Sequence, residues 1–142
     1  MKPPPLVEPD QPLSDGYRIT LPFPMARRVE DVGLLFWHKP RGLSFYIRWS
    51  ACSEDEGDPV ERWRDMRSMG GYDEITEHAG KVVRYGYRLD TNGDDGGQPA
   101  FYGLVADRTR EFLLGGYFDS EEDFPAVLDT WRSIRAGASR LN

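Results

Sequence analysis

Apolar side chains at every second position predict most of the strands in this chain. The alternation is clearest over residues 81–89, and it also covers residues 17–21, where a proline ends it at position 22. Five more segments with strand character lie between turn signals, at residues 33–38, 43–49, 72–78, 100–106 and 111–118. Most connections between these strands are short, which predicts an antiparallel sheet of about seven strands.

Helical periodicity replaces the alternation in two segments. The first helix is predicted over residues 59–69, because Asp58 can cap it and glycines follow at positions 70 and 71. The second is predicted over residues 123–136, with Asp123 as its N-cap and Gly137 at its end. Six large side chains are expected to be buried: Trp63, Tyr85, Leu114, Phe124, Leu128 and Trp131.

The order of these elements is three strands, a helix, four strands and a helix. This order predicts an α/β (α+β) fold in which two helices flank a mainly antiparallel sheet. Residues 1–15 contain five prolines, which favour an extended path, and they are interpreted as a flexible proline-rich arm. Residues 16–142 are then expected to form a single α+β domain.

Composition and charge narrow the classes of protein to which the chain can belong. It has 142 residues, a net charge of −6 and one cysteine, Cys52. The acidity argues against binding to nucleic acid, and a lone cysteine excludes an internal disulfide. The sequence has no apolar run long enough to span a membrane, and we expect no secretory signal unless one was removed before residue 1. We therefore expect an acidic protein of the cytoplasm that is not bound to a membrane.

Two segments and the order of elements carry a resemblance to a known group. Residues 15–22 read Asp-Gly-Tyr-Arg-Ile-Thr-Leu-Pro, and residues 124–135 read Phe-Pro-Ala-Val-Leu-Asp-Thr-Trp-Arg-Ser-Ile-Arg. Together they resemble the Mog1/PsbP-like superfamily, which includes DcrB-like bacterial proteins. Members often close the last helix with Ser-Phe-Arg, from which this chain departs. The resemblance implies a binding function without a shared set of catalytic residues, as in chaperones or adaptors of secretion systems.

The loop after residue 89 contains the strongest metal signal in the sequence. Asp90, Asn92 and Asp94 take the first, third and fifth positions of an EF-hand-like loop. However, Asp95 stands where that loop needs glycine, and Phe101 stands where it needs a bidentate glutamate. Asx-Gly pairs between strands also form hairpin turns, so a turn is the preferred interpretation. Calcium at this loop is the weaker alternative, and no cofactor is expected.

No residue is predicted to be catalytic. The acidic residues that follow Cys52 disfavour its thiolate form. His38 and His78 each lie at the end of a predicted strand and outside any recognised metal-ligand spacing.

Two groups of charged residues are candidate binding surfaces. The strand alternation places four arginines on the face opposite the predicted core: Arg18, Arg48, Arg84 and Arg88. Arginines bind carboxylates in a bidentate manner, so this face can receive an acidic partner, whereas pairing with the protein's own acids is the alternative. The second group is an acidic loop that contains Glu54, Asp55, Glu56 and Asp58.

Two classes of function follow from these features. The first is a noncatalytic binding protein whose partner is another protein, such as a secretion effector or a toxin that it neutralises as an immunity protein. The alternative is a small metal-dependent or hydrolytic enzyme that uses the loop at residues 90–95 and the histidines. A pocket that gathers perturbed polar groups would favour the enzyme.

Overall fold

The computed structural model describes residues 4–67, 70–90 and 98–137. It contains eleven strands and two α-helices in these ranges. In chain order they are β1 (Leu6–Val7), β2 (Asp10–Pro12), β3 (Tyr17–Thr20), β4 (Met25–Val29), β5 (Gly33–His38), β6 (Leu43–Ala51), α1 (Pro59–Met66), β7 (Tyr72–Ala79), β8 (Val82–Leu89), β9 (Ala100–Ala106), β10 (Arg110–Tyr117), α2 (Phe124–Arg132) and β11 (Arg135–Ala136).

Eight strands form a large antiparallel sheet in the order β1-β4-β5-β6-β10-β9-β8-β7. A second sheet has three strands in the order β11-β3-β2. The predicted α+β fold with a mainly antiparallel sheet is therefore confirmed. The predicted strand at residues 17–21 lies in the small sheet instead, and the large sheet contains two strands that were not predicted, β1 and β4. No helix in the described ranges is long and apolar enough to cross a membrane.

The segment expected to be a flexible arm contributes two of the strands. Leu6 pairs with Ala26 of β4, and Gln11 pairs with Ile19 of β3. Both β1 and β2 lie at the edge of a sheet, where proline is tolerated because one side of the strand needs no amide donor. The prolines therefore restrict where these strands pair and do not prevent pairing.

The first helix begins as predicted and ends earlier. The Asp58 carboxylate accepts a hydrogen bond from the amide of Val60 at 3.1 Å, which is an N-cap contact. The helix ends at Met66 and not at residue 69, because Arg67 takes an extended conformation.

The second helix differs from the prediction at both ends. The hydroxyl of Ser120 accepts from the amide of Glu122 and caps a 3-10 turn over Glu121–Asp123, whereas Asp123 makes no side-chain cap bond. The helix ends at Arg132 because the next residues leave it to form β11 beside β3. Gly137 therefore lies beyond a strand and is not the C-cap.

The two faces of the large sheet have different neighbours. One face, here called the covered face, packs against α2 and the small sheet, and it contains the main core. Its buried strand residues are Leu34, Phe36, Phe45, Ile47, Phe101, Val105, Phe112 and Leu114. The other face, here called the open face, packs against α1 in a smaller cluster around Val60, Tyr85 and Leu104.

Burial agrees with the prediction for half of the six expected side chains. Trp131, Tyr85 and Leu114 are buried. Trp63, Phe124 and Leu128 are only partly buried, because each lies at the margin of a cluster and packs against it from the side.

Candidate functional site

A cavity of about 450 Å³ lies on the open face beside α1. Most of its walls are aromatic, and five of the seven tyrosines of the chain contribute to it. We call it the tyrosine cavity; its lining residues are Tyr46, Arg48, Trp63, Met66, Tyr85, Tyr87, Tyr102, Gly103, Leu104, Leu113, Leu114, Gly115 and Tyr117.

The register of the sheet produces this cavity. Tyr46 on β6, Gly115 on β10, Tyr102 on β9 and Tyr87 on β8 are successive partners across four strands. Paired residues point to the same face, so Tyr46 and Tyr102 flank a position that has no side chain, and Tyr87 follows on the next strand. Because Gly115 has no side chain, the sheet surface has a depression there, and the neighbouring rings form its sides.

Helix α1 forms one wall of the tyrosine cavity through Trp63 and Met66. Ion pairs hold this helix to strands on both sides: Arg62 pairs with Glu111 of β10, and Arg64 lies 3.5 Å from Glu74 of β7. The Arg64 guanidinium also lies over the Tyr85 ring at 5.3 Å from its centroid. Charged contacts therefore fix the wall, while Trp63 and Met66 line the cavity.

Tyrosine hydroxyls supply most of the polar atoms of the cavity. The hydroxyls of Tyr117 and Tyr102 are 3.4 Å apart, and burial raises the pKa of Tyr102 above its usual range, with a further contribution from Tyr117. Burial also raises the pKa of Tyr85, whose hydroxyl donates to Glu74 at 3.1 Å. These phenols are therefore neutral at physiological pH and act as hydrogen-bond donors and acceptors.

The cavity also contains two donors that lack an acceptor in the described ranges. Arg48 is exposed at the rim and makes no ion pair with any residue that the structure describes. The indole nitrogen of Trp63 is shielded from solvent and has no hydrogen-bond partner there. A buried unpaired donor costs about 1–3 kcal/mol, so an acceptor that reaches the Trp63 indole nitrogen would be stabilising, whereas the exposed Arg48 can bind water.

The structure does not bring the four predicted arginines together. Arg48 lies on the open face, whereas Arg84 and Arg88 lie on the covered face beside α2. Arg18 belongs to the small sheet, where its Nε donates to Asp10 at 2.9 Å. The four arginines thus lie in three separate places and do not form the predicted surface. Alternation along a strand indicates that its two faces differ, but it does not predict which face a helix covers.

Arg88 and Arg84 both contact other residues of the protein on the covered face. Its guanidinium lies 4.2 Å from the centroid of Phe124 and 2.5 Å from the carboxylate of Glu121. Arg84 is 3.4 Å from Glu77 and donates to the carbonyl of Arg132. Both residues therefore match the alternative interpretation, in which the arginines pair with the protein's own acids.

Some carboxylates of the acidic loop already accept hydrogen bonds from nearby backbone amides. Glu56 accepts a hydrogen bond from the amide of Ser53 at 2.8 Å, and Asp58 caps α1. Asp55 is exposed in the 3-10 turn Glu54–Glu56. Two of the four acids therefore serve local backbone conformation.

The candidate metal loop falls mostly outside the described residues, which include Asp90 but neither Asn92 nor Asp94. Asp90 accepts a hydrogen bond from the hydroxyl of Tyr72 at 2.9 Å. Within the described ranges, no three His, Cys, Asp or Glu side chains are grouped as metal ligands would be.

Cys52 and the two histidines occupy different surroundings. Cys52 and His78 line a second cavity of about 400 Å³, and the Cys52 thiol donates to the Asp107 carbonyl at 3.7 Å. Burial, and next the charge of Glu56, raise the pKa of this thiol, so it stays protonated. His38 instead packs against the Phe23 ring, with centroids 4.7 Å apart.

Sequence reasoning missed the tyrosine cavity. The signal was present in the tyrosines of four predicted strands, but their alternation assigned Tyr85 and Tyr87 to a single core. Only the pairing register shows that Tyr87 lies in one row across four strands with Tyr102, Gly115 and Tyr46.

No protein-family model matches this chain, and a search of curated proteins found no significant match.

Proposed function

We propose that this protein is a noncatalytic binding module and that the tyrosine cavity receives apolar side chains of another protein. The observation that supports this is the composition of the cavity walls, in which five tyrosines, a tryptophan and a methionine surround a space of about 450 Å³. Tyr, Trp and Met are enriched in the centres of protein interfaces.

The physical chemistry of the walls favours an apolar ligand group with a polar atom beside it. Tyrosine rings offer large contact areas and lose little conformational entropy on binding, because each side chain has few rotatable bonds. Their neutral hydroxyls can satisfy the backbone of a bound segment without the cost of desolvating a charge. An aromatic or long aliphatic side chain is therefore the group that fits best.

The enzyme alternative has weaker support from the same geometry. It would use the loop at residues 90–95 with the histidines, and the two histidines lie apart, one against Phe23 and one in the cavity with Cys52. The raised pKa of the Cys52 thiol keeps it in the less nucleophilic form. Binding at the tyrosine cavity needs no such activation.

The cellular role and the fold family belong to the same proposal. An antiparallel sheet with two helices is the architecture that the Mog1/PsbP-like resemblance implies, and that superfamily includes binders associated with secretion. We propose a partner of that kind in the cytoplasm, namely a secretion effector or component, or a toxin that this protein neutralises.

Selection of peptides from a random display library against the full chain tests the proposal. Bound peptides are expected to carry an aromatic or long aliphatic residue as their common feature. Leu113→Trp should then weaken binding at least about tenfold, because a larger side chain on this half-buried wall residue fills the cavity. Fluorescence anisotropy of the labelled peptide measures the affinity.

The matched control is Val29→Trp, which adds the same side chain at an exposed position of β4 outside the cavity. Its affinity for the peptide should equal that of the unmodified protein. A library without binders, or peptides that bind equally to both variants, would contradict the tyrosine cavity as the binding site.

A further inference from the structure

A third cavity, of about 910 Å³, lies where the β7–β8 and β9–β10 turns meet the small sheet. This is the end of the large sheet opposite to the 3-10 turn at Lys39–Arg41. Four basic side chains from four different segments line it. We call it the basic basin; its cations are Lys81 in the β7–β8 turn, Arg84 on β8, Arg108 in the β9–β10 turn and Arg135 on β11. Such convergence is unexpected in a chain with a net charge of −6.

Two of these cations are held in fixed positions. Arg84 is only 13% exposed, and it is anchored by Glu77 at 3.4 Å and by the carbonyl of Arg132 at 3.1 Å. Arg135 donates to the carbonyl of Ser133 at 2.8 Å. Cations that are already ordered lose less entropy when an anion binds, which raises affinity.

The other two cations extend from turns and are exposed. Lys81 follows Gly80 in a two-residue turn, and it has no ion-pair partner within the part of the chain that the structure describes. Arg108 lies in the neighbouring turn, on the same cavity. The long side chain of Lys81 can close on a ligand from the solvent side.

Among the described residues that line the basin, the one carboxylate is that of Asp107, and donors already engage it. Asp107 Oδ1 accepts from the amides of Thr109 and Arg110, both at 2.8 Å, and Oδ2 accepts from the hydroxyl of Tyr17. Burial alone would raise the pKa of Asp107, but these hydrogen bonds outweigh it and hold the pKa below its usual value. Its charge is thus directed into local structure. Two of the four cations already pair with acids outside the basin, Arg84 with Glu77 at 3.4 Å and Arg135 with Asp10 at 3.5 Å.

We propose that the basic basin binds a small organic polyanion that carries at least two phosphate or carboxylate groups. The cations are arranged around apolar wall residues, including Val82 and Ile134, which suit the carbon skeleton of such a ligand. The volume falls within the range of about 300–1,000 Å³ that is typical of small-molecule sites and exceeds what one oxyanion fills. Arginine binds both phosphate and carboxylate through bidentate hydrogen bonds, so the two groups share this chemistry.

Titration calorimetry of the full chain at low salt tests the inference with defined probes. Pyrophosphate and citrate should each give a saturable isotherm, and acetate should not, because it offers a single charge. Tighter binding of pyrophosphate would identify phosphate groups as the preferred chemistry, and tighter binding of citrate would identify carboxylates. Saturation by neither probe up to millimolar concentration would overturn the proposal.

Charge-neutralising variants assign the binding to the basin. Lys81→Gln should weaken the tighter probe about tenfold. Lys39→Gln is the matched control, because it removes the same charge from a turn outside the basin. Equal weakening by the two variants would show general electrostatic attraction and contradict a site.

Amide shifts give an independent measurement. The resonances of Gly80 and Thr109 should move with saturating pyrophosphate or citrate, while that of Gly115 in the tyrosine cavity should not. Shifts at Gly115 alone would place the anion in the wrong cavity and overturn the inference. The tyrosine-cavity variant Leu113→Trp should bind both probes unchanged, so this inference can fail or succeed independently of the proposed function.

Discussion

The covered and open faces of the large sheet differ in what occupies the space above their glycines. On the covered face, a Cβ at Gly103 would overlap the Trp131 indole, and one at Gly116 would lie 2.7 Å from Val127. On the open face, a Cβ at Gly115 would meet only the flexible end of Tyr117, at 3.1 Å.

The comparison shows that a glycine in a strand can serve two opposite purposes. Beneath a helix, the missing side chain lets a large ring approach the backbone and close the core, as Trp131 does when its indole donates to the Leu104 carbonyl at 3.2 Å. At Gly115, which lies beside α1 but is not covered by it, the same absence leaves a depression that neighbouring rings line but do not fill. Closure by α2 and not glycine content therefore decides which face stabilises the fold and which face is available for binding.

The largest difference is expected between tryptophans on the two faces. Trp131→Ala should destabilise the protein by about 3–5 kcal/mol, because it removes a fully buried ring and leaves a cavity in the core. Trp63→Ala on the open face should cost less than about half of that, since this ring is only partly buried and lines a space that already exists. Urea denaturation measures both free energies of unfolding; equal losses would remove the distinction between the faces.

Glycine substitutions test the same comparison by adding volume. Gly103→Ala should cost about 1–3 kcal/mol, because the new methyl group forces the Trp131 ring out of its position. The matched substitution Gly115→Ala should cost less than about 1 kcal/mol, since the Tyr117 side chain can move by a few tenths of an ångström. Thermal unfolding of both variants would sharpen the comparison, and a larger loss at Gly115 would contradict it.

How far the sequence predicts this fold depends on the range of the interactions involved. The alternation in β8 and the Asp58 cap of α1 are local, and both were predicted. Four strands were not predicted: β1, β2, β4 and β11. Of these, β1 and β11 each depend on a partner remote in sequence, as in the pairing of Arg135 with Arg18.

The candidate sites were less predictable than the strands for the same reason. The alternation of Tyr85 and Tyr87 with Arg84 and Arg88 suggested one core face and one solvent face. In the structure, the arginines pack beside α2 and the tyrosines line a cavity, so neither side of β8 is a free surface. Which face a helix covers is decided by the whole topology and cannot be read from one strand.

A smaller effect is expected from the hydroxyl of Tyr17 on the covered side. Tyr17→Phe should cost about 1.5 kcal/mol at neutral pH, because the buried hydroxyl no longer donates to the Asp107 carboxylate. The lowered pKa of Asp107 stabilises the fold above the usual pKa of a free aspartate, and this contribution is lost as the pH falls through the lowered value. The difference between the variant and the unmodified protein should therefore shrink below about pH 4.

The control on the open face is Tyr117→Phe, whose hydroxyl makes only a 3.4 Å contact with that of Tyr102. Its cost should stay under about 0.5 kcal/mol and should not change on acidification, since no carboxylate accepts from it. Denaturation midpoints at several pH values would measure both variants. A constant cost of Tyr17→Phe down to pH 3 would show that the hydroxyl does not lower the pKa of Asp107.

The smallest difference is expected between arginines on the two faces. Arg88→Met should cost about 1 kcal/mol, because Arg88 is only 12% exposed and its guanidinium stacks on Phe124 beside α2. Most of this cost comes from stacking and packing, since its ion-pair partner Glu121 is largely exposed and screened by solvent. Arg48→Met on the open face should change the unfolding free energy by less than about 0.5 kcal/mol, because Arg48 is exposed. If Arg48→Met proved the more destabilising of the two, the open face would contribute to stability as the covered face does, and the contrast between them would fail.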